Sequence, residues 1–582
     1  MRAMKTFLTG LLLSAVCLLP VSLRAADLQP FFTLKLASVN SFAGAIEKVA
    51  SMAGAANDAQ VQDIVSTIKS LKGFDFDNIT GIAAAVDENG AISPILLLPI
   101  TDIMKAEIPS IPMIFDTIRP FLVKRGDNYE INSPLGTFVV IQKQGFLVIV
   151  PEGIASQIPA DPRTLFADLD KYTLGVKLDF RKVDFETIET NLFGPLIFLA
   201  MMQNPDAGEQ LESLLGTVKE LYQEFSVLTG GIAINPQTAD IELSGSGVPR
   251  PGSGAASFFG EYKQLPTAFS GFRGTPGNIV FSFGDSATHA PFPKDHVLLA
   301  PFTGQFETIF EGVLEQIEME DETGNVGTAA RELFNFVNRI VESETKRGVR
   351  DIAFSLDTSG TLLFAFDAGA DTLADMRQFA EMVMFYAQDY LPSDLLYDLA
   401  YDFRQNFATV NGFEVSGASV PVGGVVELIR GSAPAALDNV SLAVFWAIKD
   451  SGGKRAVAVA LGIDKSRTEQ AFMSALEKTK TPVAVQRPQA VFDVQGLGRL
   501  LQPIAGYADD AAPGAGRAID ALAWSGSDAT LSFTYDVKPE KVEAGFRVSG
   551  KTIQAMISLF RLAANMDLPF DVNLPVNLPF NR

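Results

Sequence analysis

Residues 545–552 read GFRVSGKT and fit the phosphate-loop pattern G-x-x-x-x-G-K-[ST] at every position. In such a loop, backbone N–H groups cradle phosphate oxygens, the lysine reaches the terminal phosphates and the Ser/Thr hydroxyl holds a metal ion. Lys551 and Thr552 stand in those places. The residues between the glycines argue otherwise. Phe546 and Val548 continue the alternation Val542, Ala544, Phe546, Val548, the mark of a strand with one buried face. Gly545 is therefore expected inside a strand. Ile553, Met556, Ile557 and Phe560 then give the following helix an apolar stripe. The motif predicts a strand-to-helix junction, and no cofactor is expected.

A second constellation lies in FGDSATHAPFPKDH, which carries both histidines of the chain, His289 and His296, beside Gly284, Asp285 and Ser286. A serine hydrolase needs a nucleophile, a histidine oriented by an acid, and an oxyanion hole. The nucleophile-elbow pattern fails, because Thr288 stands where its last glycine belongs. His289 falls in Pro-rich sequence and His296 at the start of an expected strand. Metal chemistry lacks a pattern too: there is no HExxH, no cysteine pair and no third histidine. The acidic run at 315–325 lacks the spaced ligands of a calcium loop and reads as a solvated helix end. Paired carboxylates for glycoside cleavage give no signature in sequence. The sequence assigns no catalytic, cofactor-binding or metal residue, and the chain reads as a non-enzyme.

The elements that carry these residues repeat. Val61, Ile64, Val65, Ile68 and Leu71 form the stripe of an amphipathic helix. The same steps recur at Leu211, Leu214, Leu215, Val218 and Leu221, and at Ala330, Leu333, Phe334, Val337 and Ile340. An Ile-Ala pair opens a strand after each, at Ile82-Ala83, Ile232-Ala233 and Ile352-Ala353, and each strand enters a hairpin. Upstream, Phe-Glu-Thr-Ile occurs at 185–188 and 306–309, each after a Val-x-Leu strand. Matched spacing of this kind marks an internal repeat. The expected unit is βααββα, with copies starting near 30, 172 and 296 and a divergent fourth near Ala490. The fold class expected is α+β, tandem βααββα units forming mixed or antiparallel sheets covered by helices.

The expected boundaries follow. Residues 1–25 are a signal peptide and 26–270 a first α+β domain, with an extra hairpin near 137–151. Residues 271–295, rich in Pro and Gly, are a linker. Residues 296–565 form a second α+β domain. Residues 566–582, with Leu-Pro at 568–569, 574–575 and 578–579, are an extended segment that straps the body. The leader, the strand ISPILLLPITD and the stretch ADPRTLFADLDKYTLGVKLD resemble a set of large secreted bacterial proteins. That resemblance implies export and no particular activity.

Arg2 and Lys5, a short apolar run over 6–19 and small residues at Ala25 and Ala26 have the order of a secretory leader. The run is shorter than a membrane span needs, and no other integral span is expected. Cys17, the only cysteine, lies in that run, so the exported chain would be cysteine-free. The formal net charge of −22 repels nucleic acid and anionic membranes. The reading is a periplasmic or extracellular binding or scaffold protein, its partner a protein or an apolar ligand at the cell envelope. The alternatives are a carrier of lipids or other apolar ligands, for which the 44 Phe supply wall material, and a serine hydrolase using Ser286.

Overall fold

Among the described residues, segments with period-two apolar patterning form 21 strands in antiparallel sheet, and strand outweighs helix, 45% to 35%. The computed structural model describes residues 29–52, 77–86, 91–100, 121–194, 205–288, 347–374, 402–423, 440–506 and 514–564, with short interruptions and a few residues elsewhere. The chain divides into two compact units, Met1–Ala256 with Glu540–Arg582, and Ser257–Pro539.

The first unit holds β1 (Pro30–Leu36), β2 (Thr80–Val86), β3 (Ile92–Leu98), β4 (Leu122–Arg125), β5 (Asn128–Ser133), β6 (Gly136–Lys143), β7 (Phe146–Pro151), β8 (Leu174–Asp179), β9 (Phe225–Ile234) and β10 (Ile241–Pro249). The second holds β11 (Lys263–Gln264), β12 (Ile279–Thr288), β13 (Val349–Asp357), β14 (Leu362–Asp367), β15 (Asp402–Val410), β16 (Phe413–Pro421), β17 (Ser441–Ser451), β18 (Lys454–Gly462), β19 (Gln489–Asp493) and β20 (Thr530–Lys538). The chain then returns to the first unit with β21 (Lys541–Val548). Antiparallel pairing gives the order β4-β5-β6-β7-β3-β2-β1-β8-β9-β10-β21 in the first unit. In the second the order is β20-β19-β12-β13-β14-β18-β17-β16-β15, with β11 on the end of β12.

The expected helix-covered tandem units are corrected by this topology. The first strands of two successive copies pair directly, Leu34 with Val176 and Leu36 with Leu174, so the copies merge into sheet instead of closing separately. Two further hairpins, β4/β5 and β15/β16, add strand where no copy predicted it. What recurs is a pairing pattern: β1 lies between β2 and β8, as β12 lies between β13 and β19. Residues 279–288, inside the segment read as a linker, form β12. The first and third helical stripes, His289, His296, the acidic run at 315–325, the leader and the C-terminal segment lie outside the described residues.

The main helices are α1 (Val39–Met52), α2 (Pro205–Glu224), α3 (Lys465–Lys478), α4 (Val494–Leu501), α5 (Ala515–Ala523) and α6 (Gly550–Ala564). Helix α2 sets Leu215, Val218 and Leu221 against Phe31, Phe180 and Phe193. In the second unit, small residues on the sheet (Ala353, Ala365, Ala447, Ala458) leave room for Phe272 and for Phe472 of α3, which meets Phe445 ring to ring. Each such phenyl ring contributes roughly 1.5–3 kcal/mol through burial.

Candidate functional site

The phosphate-loop motif forms a helix cap in the first unit. Gly545 pairs with Ser244 inside the sheet, as the alternation predicts. Only Ser549 separates β21 from α6, and its Oγ accepts from the Thr552 N–H at 3.2 Å. The anion at this helix N-terminus belongs to the protein: Asp240 accepts from the Gly550 N–H at 2.8 Å and pairs with Arg547. Burial pushes the Asp240 carboxyl upward, but the Gly550 N–H and the Arg547 guanidinium hold it below its ordinary value. Gly550 is required by close approach, since a Cβ there would lie 1.8 Å from the Thr238 carbonyl oxygen. Thr552 is fully buried.

Asp285 and Ser286 are neighbours on β12, so their side chains leave on opposite faces of the sheet. They cannot form one acid–serine pair. On one face Asp285, 1% exposed, forms an ion pair with Arg350 and accepts from the Tyr262 hydroxyl at 3.3 Å. Arg350 also donates to the Tyr535 hydroxyl at 3.1 Å. Burial first, and then the Asp285 charge, raise Tyr262 well above the usual phenol range. Burial likewise raises Tyr535. Burial lowers Arg350, yet Asp285 and the two tyrosines more than compensate, so the guanidinium is held above its ordinary value. This is a buried ion pair completed by two neutral phenols.

The other face carries an open site. Ser286 is in register with Asp351, whose N–H donates to Asp367; Asp367 is in register with Ala456, and Ala456 with Lys449. This row lies where the second unit's apolar core ends, on the same face as Ala353, Ala365, Ala447 and Phe413. Above it run residues 265–269 and 479–483. Thr267 and Val483 tie those segments by reciprocal N–H to carbonyl bonds of 2.9 Å. Between row and cover is a cleft of about 710 Å³, within the size range of small-molecule sites.

The carboxylates of the cleft are already engaged. Asp351 accepts from the Thr267 hydroxyl at 2.6 Å and the Ala268 N–H at 2.7 Å. Burial raises its carboxyl above the ordinary range, against the pull of Thr267, Ala268 and Ser286. Asp367 pairs with Arg347. Ser286, 1% exposed, donates to the Pro266 carbonyl at 3.4 Å. Lys449 donates to the Asn411 carbonyl at 2.9 Å and sits 5.4 Å from the centre of the Phe413 ring. Lys454 and Lys480 also line the cleft, are exposed, and have no side-chain partner among the described residues.

Sequence reasoning singled out Asp285 and Ser286 but missed Tyr262, Arg350, Asp351 and Tyr535, and it missed the lysines. The one available signal was the basic tip of the β17/β18 hairpin, IKDSGGKR. Among the described residues no group of three or more His, Cys, Asp or Glu side chains is placed to hold a metal ion. No described helix is long and apolar enough to cross a membrane. No family model, curated protein or solved structure matches the chain.

Proposed function

We propose that this protein is an exported, non-catalytic binding protein whose second unit takes a small ligand in the cleft between the Ser286–Lys449 row and residues 265–269 and 479–483. The observation that carries the reading is the cleft itself, a concavity of about 710 Å³ at the end of the second unit's sheet core. The non-catalytic part is supported by Ser286: its hydroxyl is buried against the Pro266 carbonyl and Asp351, and Asp285 points to the opposite face. Export is supported by the order of basic, apolar and small residues over 1–26. A carrier of apolar ligands is the second reading, favoured by Phe269, Phe413 and Ala456 in the cleft wall.

The test is ligand-induced stabilisation with a blocked cleft as the control. Ala370 is exposed on the cleft rim, so Ala370→Trp obstructs the opening without disturbing the core. A ligand present at a hundred times its Kd stabilises the protein by about 2.7 kcal/mol. In a thermal-shift screen of small molecules, hits are expected to raise the melting temperature of the wild type and not of Ala370→Trp. Hits that stabilise both proteins equally would place binding elsewhere and contradict the reading.

A further inference from the structure

We propose that the ligand of this cleft is an amphipathic organic anion, its acid group held by Lys454 and Lys480 and its apolar body laid against the wall of Phe269, Phe413 and Ala456. The inference rests on the binding reading above and adds the chemical class. Its first support is charge. The chain as a whole is strongly acidic, at −22, yet Arg347, Lys449, Lys454 and Lys480 all line this one cleft. Arg347 and Asp367 cancel, and the other carboxylate, Asp351, is outnumbered by Lys449, Lys454 and Lys480, so these groups leave the lining net positive.

The second support is the division of labour among the cations. Arg347 is committed to Asp367, and Lys449 to the Asn411 carbonyl and the Phe413 ring. Lys454 and Lys480 remain as donors to an incoming group, and an ammonium bonded to a carboxylate makes a strong, charge-assisted hydrogen bond. The third support is the wall. Phe269, Phe413 and Ala456 belong to the apolar core cluster, so part of the cleft wall is hydrocarbon. A bare inorganic anion would leave that wall uncovered, and an uncharged lipid would leave both ammonium groups unmatched. Polyanionic nucleic acid is disfavoured by the field of the whole chain.

The experiment uses 2-naphthoate and 2-naphthylmethanol, which share a ring system and differ in charge. Both are titrated calorimetrically into the full chain, into Lys454→Gln/Lys480→Gln, and into Ala370→Trp, each first shown to melt like the wild type. The expected result is naphthoate binding at one site, with the alcohol at least about tenfold weaker, a difference of 1.4 kcal/mol. The lysine double variant should weaken naphthoate by about tenfold or more and leave the alcohol unchanged. Added salt should weaken only the acid. Equal affinity for acid and alcohol, an unchanged double variant, or no naphthoate binding at all would overturn the anion assignment. If both probes bind equally and both are lost in Ala370→Trp, the binding reading survives while the anion falls. If neither is lost there, both fall.

Discussion

Replacing Arg350 by methionine would leave Asp285, 1% exposed, with the neutral hydroxyls of Tyr262, at 3.3 Å, and Tyr535 as hydrogen-bond donors in place of the guanidinium. Orphaning one member of a buried ion pair costs about 3–5 kcal/mol. The reverse change is milder. Arg350 keeps 37% of its side chain exposed, and in Asp285→Asn its guanidinium retains the bond to the Tyr535 hydroxyl. Solvent screening and the retained bond reduce that loss to about 1–2 kcal/mol. The double change Asp285→Leu/Arg350→Met removes both charges and should lie within about 1 kcal/mol of the wild type. Urea unfolding followed by tryptophan fluorescence isolates the effect, because both tryptophans, Trp446 and Trp524, belong to the second unit. With a slope of about 3 kcal/mol per molar urea, Arg350→Met should lower the midpoint by about 1 M or more. Equal losses in the two single variants, or losses below about 1 kcal/mol in both, would refute the claim that burial of Asp285 makes this pair asymmetric.

Asp240→Ala should cost about 1–2 kcal/mol by removing the cap of α6 and the Arg547 pair. Because the folded pKa of Asp240 is lowered, its contribution is present above the unfolded carboxylate value of about 3.9 and is lost as pH falls through the folded value; acid titration of the melting temperature checks this. Asp351 runs the other way. Its folded pKa is raised, so its contribution is full below about pH 3.9 and is lost as pH rises through the folded value. Asp351→Asn should flatten that part of the stability profile, whatever offset its altered hydrogen bonds introduce. Lys551→Ala should leave the melting temperature within about 0.5 kcal/mol equivalent, and calorimetry should find no ATP or GTP binding lost with it. Phe472→Ala, at 0% exposure between Phe272 and Phe445, should destabilise the second unit by about 3–5 kcal/mol in the fluorescence assay.

Local pattern was legible where one strand or helix buries a plain apolar face. The hairpin expected near 137–151 forms as β6 and β7, turning at Gln144 and Gly145 with positive φ. The stripe of α2 buries Leu215, Val218 and Leu221 against the first unit's core, though Leu214 is 49% exposed. β12 lies in Pro- and Gly-rich sequence that reads as a linker, and its buried face carries Ser282 and Ser286 in place of aliphatic residues. Those hydroxyls are satisfied by carbonyls, Ser282 by Arg273 at 2.6 Å and Ser286 by Pro266, and sequence does not display such partners. The merging of copies through β1 and β8 depends on pairing across more than a hundred residues, which a local period cannot report. The cleft was illegible for the same reason, since its lining comes from segments as far apart as Leu265 and Pro482. The Asp285–Arg350–Tyr262–Tyr535 cluster likewise joins four separate parts of the second unit.

The proposed ligand site is the cleft of the second unit. Native mass spectrometry of the protein recovered without denaturation from the cells that produce it tests whether that cleft is occupied. The expected result is a bound small molecule on the wild type, released as an organic acid on mild activation, and absent from Ala370→Trp prepared in parallel. Bare wild-type protein, or the same bound mass on both proteins, would contradict it.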